Sequence, residues 1–431
     1  MHRSIPFLIL IFGCLSCYAQ VETIKLSGVI YDSATKEPIE YANIYVTQTA
    51  VGTVSSRLGD FELNIPKAIL PNTVTISCIG YQSRFIPIDH LADADVRIQL
   101  NQAAVLLKEV AVVEQLDSGL VILKKAIKAI DENYPTRKHL LEGFYRELSV
   151  RDTVYTRLIE ASILVQERSY SKKSFDKETL DVSGSRVQIQ ALRKSDDYRT
   201  YDKAGSVMNF VFGSKNDLYE IFEDNYIRFL GIKSPHFLSD NFLKDYQITL
   251  KGKTELDGEV VYVVQLRSNT DLFFLREVDL YIGRNDFAFL RIENSLLINK
   301  KDSRLMQAGI NGKYFYHGDI SYRKIGDRYV PFVIRTQKYA SNTNPLVKSA
   351  KGTELQYMDL TFLLTDFSER DFSKIKKKET VDRNKDIRKI DWPYDEDFWK
   401  NYNMILLHPI NEKVKSELEK ETDLETQFRK N

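Results

Sequence analysis

The sequence predicts a mainly β protein: a small N-terminal antiparallel β-sandwich followed by a large curved antiparallel sheet with a few helices. Three observations carry this. Short apolar runs broken by turn residues fill the first hundred positions. Longer runs rich in Val, Ile, Tyr and Phe then recur, separated by turns such as Asp257-Gly258, Gly283-Arg284-Asn285-Asp286 and Gly326-Asp327. The 431 residues also hold 24 Tyr and 23 Phe, residue types that pack well on a pleated surface.

A chain of this length suits two or three domains. The reading divides it into a leader (1–19), a sandwich (20–113), a large β domain with a leading helix (114–372) and a charged linker with a helical tail (373–431). Against 61 basic residues stand 60 acidic ones, so the formal net charge is +1. That balance provides no global field to gather nucleic acid or an anionic membrane.

The leader, MHRSIPFLILIFGCLSCYAQ, has Arg3 before an apolar run from Ile5 to about Phe12, too short for a permanent membrane span. Ala19 and Cys17 are small residues at the positions that cleavage requires, so the mature chain is expected to begin at Gln20, beyond the inner membrane. An alternative reading takes Ile11-Phe12-Gly13-Cys14 as a lipobox with a lipid on Cys14. After cleavage at Ala19 only Cys78 remains, so no internal disulfide or thiolate metal cluster can form. Alternation in TVTISCIGY places Cys78 with Val74 and Ile76, expected inward as an inert thiol, with Thr73, Thr75 and Ser77 facing out.

In the sandwich the expected strands are IKLSGVIYD, EYANIYVT, VGTVSS, FELNI, TVTISCIGY and DVRIQL. Gly28 to Asp32 in the pattern G-x-x-x-D, then Pro38, Ala42-Asn43, Gly52-Thr53, Gly59-Asp60-Phe61 and Ile79-Gly80-Tyr81 follow in order over about 90 residues. Together with the trailing LLKEVAVV they resemble the carboxypeptidase-regulatory-like domain. The resemblance implies a transthyretin-like sandwich common in Bacteroidota envelope proteins, including N-terminal extensions of TonB-dependent transporters. It implies no catalytic residue. The glycines would supply turns, and Phe61 and Tyr81 would fill the core.

A peptidase is the natural question after such a module. His139-x-x-Glu142 has the spacing of two zinc ligands, but His236, His317 and His408 stand singly in unlike contexts and offer no third. The preceding SGLVILKKAIKAIDENYP reads as a helix over 118–134 with Ser118 as cap and Pro135 as stop, which puts His139 in its exit turn. Gly252-Lys253-Thr254 mimics the end of a phosphate loop, but Gln247 replaces its first glycine and strand follows. There is neither G-x-S-x-G nor G-x-G-x-x-G, and histidine is scarce for a dispersed triad. No catalytic, cofactor or metal residue is therefore assigned, and no cofactor is expected.

Ten strands are expected in the large domain, beginning with GFYRELSVRD and ending with ELQYMDLTFLLTDF; the segment 207–243 breaks the pattern with helical spacing. The run from YQITLKGKTEL to FAFLRIENS resembles the meander of LolA-like lipoprotein carriers, which implies a half-barrel. The whole region, through FYRE (144–147) and YDEDFWKNYN (394–403), resembles the partner domain that follows such sandwiches in Bacteroidota envelope proteins. Strands such as EVVYVVQL need cover on both faces. Incomplete cover would leave an apolar groove for an acyl chain or extended peptide.

Residues 374–389, with eight basic and three acidic side chains, read as a solvated linker; Trp392 and Trp399 read as anchors; Val414, Leu418 and Phe428 are the apolar contacts of a terminal helix. The functional expectation is an exported, non-enzymatic envelope protein, periplasmic or at the outer membrane. Its partner would be an envelope protein, lipid or glycan, and no transmembrane helix is expected. The alternative is a metallopeptidase-like hydrolase with a site not recognisable from sequence.

Overall fold

The computed structural model describes residues 22–56, 58–88, 95–103, 112–151, 154–171, 185–198, 217–223, 225, 227, 243–269, 274–298, 316–341, 355–369, 375–402 and 412–430. The leader, its cleavage point and Cys14 lie outside these, as do most of LLKEVAVV and much of 207–243.

Seven strands form the sandwich: β1 (Thr23–Asp32), β2 (Asn43–Val46), β3 (Gly52–Val54), β4 (Asp60–Pro66), β5 (Thr73–Ser77), β6 (Arg84–Pro87) and β7 (Asp95–Leu100). One sheet has the order β4-β1-β7 and the other β3-β2-β5-β6. The expected sandwich is present with one departure from antiparallel order, since β7 runs parallel to β1. Alternation along β1 and β4 sends Leu26, Ile30, Phe61, Leu63 and Ile65 into a core shared with Ile44, Val46, Val74 and Ile76. Gly59 adopts φ +79, and a Cβ there would meet the Ile30 carbonyl oxygen at 2.4 Å, so the turn needs glycine. Phe61 fills the core as expected. Tyr81 does not: it packs at the rim and donates its hydroxyl to Asp32 at 3.0 Å.

Ten strands build one antiparallel sheet: β8 (His139–Arg151), β9 (Val154–Glu167), β10 (Arg186–Lys194), β11 (Tyr246–Leu256), β12 (Glu259–Ser268), β13 (Phe274–Gly283), β14 (Phe289–Ile298), β15 (Tyr316–Ile325), β16 (Arg328–Ser341) and β17 (Leu355–Ser368). Their order is β10-β9-β8-β17-β16-β15-β14-β13-β12-β11. The meander closes by pairing its last strand, β17, with its first, β8, while β9 and β10 extend the sheet beyond them. Bulges interrupt several ladders, including Leu250/Gly252 and Leu364/Asp366, and add local twist. Gly252 is thus a bulge residue inside β11 and no part of a phosphate cradle.

Cross-strand pairing separates two faces. Phe362, Ile334, Ile320, Ile292, Leu280 and Val264 line one and are fully buried. Three helices serve this side: α1 (Val112–Lys128) over β11 to β13, α2 (Ile130–Asn133) against β16, and α3 (Asp217–Glu223) against β16 and β17. The leading helix is therefore present, but it starts before Ser118, which lies inside α1 instead of capping it. Gly119 permits its close approach, because a Cβ there would stand 2.9 Å from the Leu250 backbone nitrogen. Among the described residues, the apolar side chains named on this face are buried and not left as an open groove.

The opposite face carries the sandwich over β14 to β16 and the C-terminal tail over β8 to β10. The tail contributes α4 (Glu396–Asn401), α5 (Glu412–Leu418) and α6 (Leu424–Lys430). Val414, Leu418 and Phe428 pack with Leu158, as their spacing suggested, although two short helices replace the single one. The stretch read as a solvated linker is docked: Ile375 and Ile387 are buried, and Val381 N–H donates to the Val187 carbonyl on edge strand β10 at 2.8 Å. Covering that edge removes a template for strand addition. Among the described residues no helix is long and apolar enough to cross a membrane.

Candidate functional site

Strand alternation in the sandwich leaves Asn43, Tyr45, Thr75 and Ser77 pointing away from its core. The outward direction expected for Thr75 and Ser77 is correct, yet neither meets solvent, since both are fully buried against the large sheet. The facing surface comes from Arg291, Asp319, Ser321, Arg323, Val333 and Arg335, which alternate with the buried Ile292, Ile320 and Ile334. Between the two surfaces lies a cavity of about 40 Å³ lined by both units.

Arg323 is the centre of the contact. Its guanidinium lies 4.5 Å from the Tyr45 ring centroid and 4.0 Å from that of Phe332, and the two rings meet edge to face at 6.1 Å. Nη2 donates to the Thr49 carbonyl of the sandwich, whereas Nε and Nη1 have no hydrogen-bond partner among the described residues. Burial, partly offset by Tyr45 and Asp257, lowers its pKa to about 10, so it remains a cation at neutral pH. A Cβ on Gly52 would stand 2.6 Å from Tyr45 Cβ and 2.8 Å from Phe332 Cζ; only glycine lets the sheet approach so closely.

The neighbouring cations are paired. Arg291 makes a bidentate contact with Asp319 at 2.8 and 2.7 Å, and Arg335 one with Asp359 at 3.1 and 2.5 Å while stacking 3.9 Å from the Tyr41 centroid. Asp257, in the β11–β12 turn at φ 53, is the exception among the acids. Its Oδ1 is shut off from solvent without a partner, and burial raises its pKa despite the hydroxyls of Ser77 and Tyr45 and the charge of Arg323. Cys78 lies just past the end of β5, half-buried and packed against the sandwich core with Val74 and Ile76 as expected, and it also lines the cavity wall. Burial pushes its thiol up to about 11, which favours the protonated form at neutral pH.

His139 opens β8 instead of ending the helix. It is buried, stacks 5.8 Å from Tyr170, and lies an odd number of positions from Glu142 in a regular ladder. The two side chains therefore leave opposite faces of the sheet and cannot share a metal ion. Burial and then Asp366 raise the pKa of Glu142. Sequence reading missed a closer pair: Ser295 Oγ and His317 Nδ1 stand 2.9 Å apart as direct neighbours on β14 and β15. Burial lowers the pKa of His317. Only the ladder register brings these two together, 22 residues apart in the chain, so no local motif could have shown them.

Residues 26–112 match the model of the CarboxypepD_reg-like domain. Over 103 residues the chain is 31% identical to the TonB-dependent receptor SusC of Bacteroides thetaiotaomicron, an alignment that takes in 24% of this chain and 9% of that receptor. The chain thus spans about a tenth of the length of that relative. Among solved structures, a LolA superfamily protein of Nitrosomonas europaea aligns at 13% identity over 59% of this chain and 94% of its own, with a TM-score of 0.23. A putative outer membrane lipoprotein-sorting protein domain of Vibrio parahaemolyticus aligns at 9% over 61% and 96%, TM-score 0.25. The MucA/MucB complex of Pseudomonas aeruginosa contributes a chain at 10% identity over 57% and 94%, TM-score 0.18. The pattern in residues 26–112 and the two-sheet sandwich that they form together make the N-terminal unit of this chain a CarboxypepD_reg-like domain.

Proposed function

We propose that the chain is an exported, non-enzymatic binding protein of the bacterial cell envelope, built as one scaffold from a docked sandwich and a large sheet. The observation that supports this most directly is the interface itself. Its charged groups are largely committed to one another, as Arg291 with Asp319 and Arg335 with Asp359 show, in the manner of a structural contact and not of a poised reaction site. The apolar leader and the likeness of the N-terminal unit to part of a TonB-dependent receptor support the compartment. Of the three partner classes expected from sequence, a protein chain is favoured over a lipid. Among the described residues the apolar side chains of the sheet face are buried, and the interdomain cavity has room for a few water molecules, not an acyl chain.

The test is cross-linking in the native envelope followed by mass spectrometry. Enrichment of a defined envelope protein, with a mature N-terminus at Gln20, is the expected outcome; a lipid-modified Cys14 would replace the cleavage reading without removing the compartment. Co-purification of a stoichiometric lipid in place of a protein would overturn the choice of partner.

One observation favours a hydrolase as the second reading, the Ser295–His317 contact at 2.9 Å. A nucleophile with a base also needs an oriented third group and donors for the developing oxyanion. Labelling of the chain by a fluorophosphonate probe, abolished in Ser295→Ala, would establish that reading against the first.

A further inference from the structure

The carboxyl of Asp257 is enclosed only because the sandwich sits on the sheet. Its hairpin turn lies under the sandwich edge, where a Cβ at Gly258 would be 3.2 Å from the Phe85 ring. Nearby, Ser83 N–H donates to Glu255 at 3.1 Å across the same seam. The groups that face Asp257 come from both units: Tyr45 on β2 and Ser77 on β5 from the sandwich, Arg323 on β15 and Tyr329 on β16 from the sheet. Its own hairpin adds Glu255 and Glu259, and the cavity wall adds Cys78 with the paired Arg291, Asp319 and Arg335. Among the described residues that line the cavity, Arg323 is the cation without a carboxylate in contact, and it forms no direct ion pair with Asp257. Cavity space with unpartnered atoms on both, Asp257 Oδ1 and Arg323 Nε and Nη1, separates a bridging role for water from a closed salt bridge.

We infer that docking of the sandwich onto the large sheet takes up a proton at Asp257, so that this contact is a proton-governed latch. The inference stands independently of any partner. Lifting the sandwich returns the carboxyl to water and to its ordinary value of 3.8. Burial raises it in the docked state, so the docked form prefers the neutral acid more than the open form does. Docking is therefore strongest at low pH and weakens as pH rises from the ordinary value through the raised one. One proton linked to one opening event changes the opening equilibrium by up to about tenfold per pH unit in that window. Above the raised value both forms are ionised and the dependence levels off.

Cys78 supplies the reporter, since it lies on the cavity wall and its thiol senses Arg291, Asp319 and Glu293 of the sheet. The experiment alkylates the full mature chain and its Asp257→Asn variant with iodoacetamide from mildly acidic to mildly alkaline pH. Modification of Cys78 is quantified by peptide mass spectrometry. Taking the ratio of the two rates at each pH cancels the thiol's own ionisation. The ratio is expected near one in acid and to rise with pH by severalfold or more; a ratio that stays flat overturns the inference. Phe332→Ala, which loosens the seam without touching Asp257, should speed labelling at every pH, and failure to do so equally overturns it by showing that docking does not cover Cys78. If Asp257→Asn does not fold, small-angle scattering of the unsubstituted chain decides: a radius of gyration that grows with pH supports the latch and a constant one removes it.

Discussion

Asp32, the last residue of β1, shows what a single acid at a strand end does without chemistry. Its carboxylate accepts from Ala34 N–H at 2.7 Å, Thr35 N–H at 3.0 Å, Tyr81 Oη at 3.0 Å and Gln102 Nε2 at 2.6 Å, linking the end of β1 to Tyr81 after β5 and to Gln102 just past β7. The Gln102 amide is the largest influence, followed by the Thr35 N–H, and together they lower its pKa to about 2 against a small opposing effect of burial. Its stabilising contribution is present above the ordinary carboxylate value and is lost as pH falls through about 2. Urea titrations down the acid limb should therefore show the unsubstituted chain converging on Asp32→Asn, and a constant gap would refute the assignment. Gly143 is a second single-atom constraint. A Cβ there would lie 2.2 Å from the Phe362 ring and 2.5 Å from the Leu363 carbonyl oxygen. Gly143→Ala should cost about 1–3 kcal/mol of stability by overpacking, measured as a lowered urea midpoint at unchanged slope.

The C-terminal tail works as an element through a few anchors. Trp399 is buried, and Arg193 lies 4.4 Å from its ring and 5.0 Å from that of Phe428. Behind it Glu160 is fully buried between Arg146 and Arg193, its carboxyl pKa held below the ordinary value because the two guanidinium groups outweigh the large cost of burial. Uncovering this charged layer lets water reach groups that are now desolvated, so the cost of removing the ring lies in its lost packing. Trp399→Ala is expected to lower stability by about 3–5 kcal/mol. It should also expose the tail, read as faster proteolysis of the region after β17. Unchanged proteolysis with lost stability would mean that the other tail contacts suffice to hold it.

At the scale of the molecule, the sandwich and the sheet share a seam in which Thr75, Ser77 and Arg323 are all buried. Two units joined in this way should unfold in one calorimetric transition. Phe332→Ala, which removes the ring that holds Arg323 against Tyr45, should split it into two, with the sandwich melting separately. A single transition in the variant would show that the remaining contacts, among them Ser83 with Glu255, couple the units by themselves.

Periodicity and turn chemistry were local properties, so the sequence by itself determined the two β units, the ten strands of the large sheet and the leading helix. FELNI and TVTISCIGY announce their faces because side chains alternate with period two. The buried positions of Val414 and Leu418 were legible for the analogous helical reason. What lies across from a face is not a local property. Thr75 and Ser77 looked solvated because polar residues on an outward face usually are, and only the docking of the sheet buried them. The charged run 374–389 looked like a linker, because composition does not reveal that Ile375 and Ile387 can be seated at the edge of β10. His139 and Glu142 kept a plausible ligand spacing until the strand placed them on opposite faces, while Ser295 and His317 met only through register. The seam around Asp257 and Arg323 belongs to the same class: two residues of the large sheet, 66 positions apart by their numbers, line one cavity that is closed by the sandwich packed against them. Tertiary structure decided these because burial, and with it the cost of a charge, depends on which surfaces meet and not on the order of residues along either one.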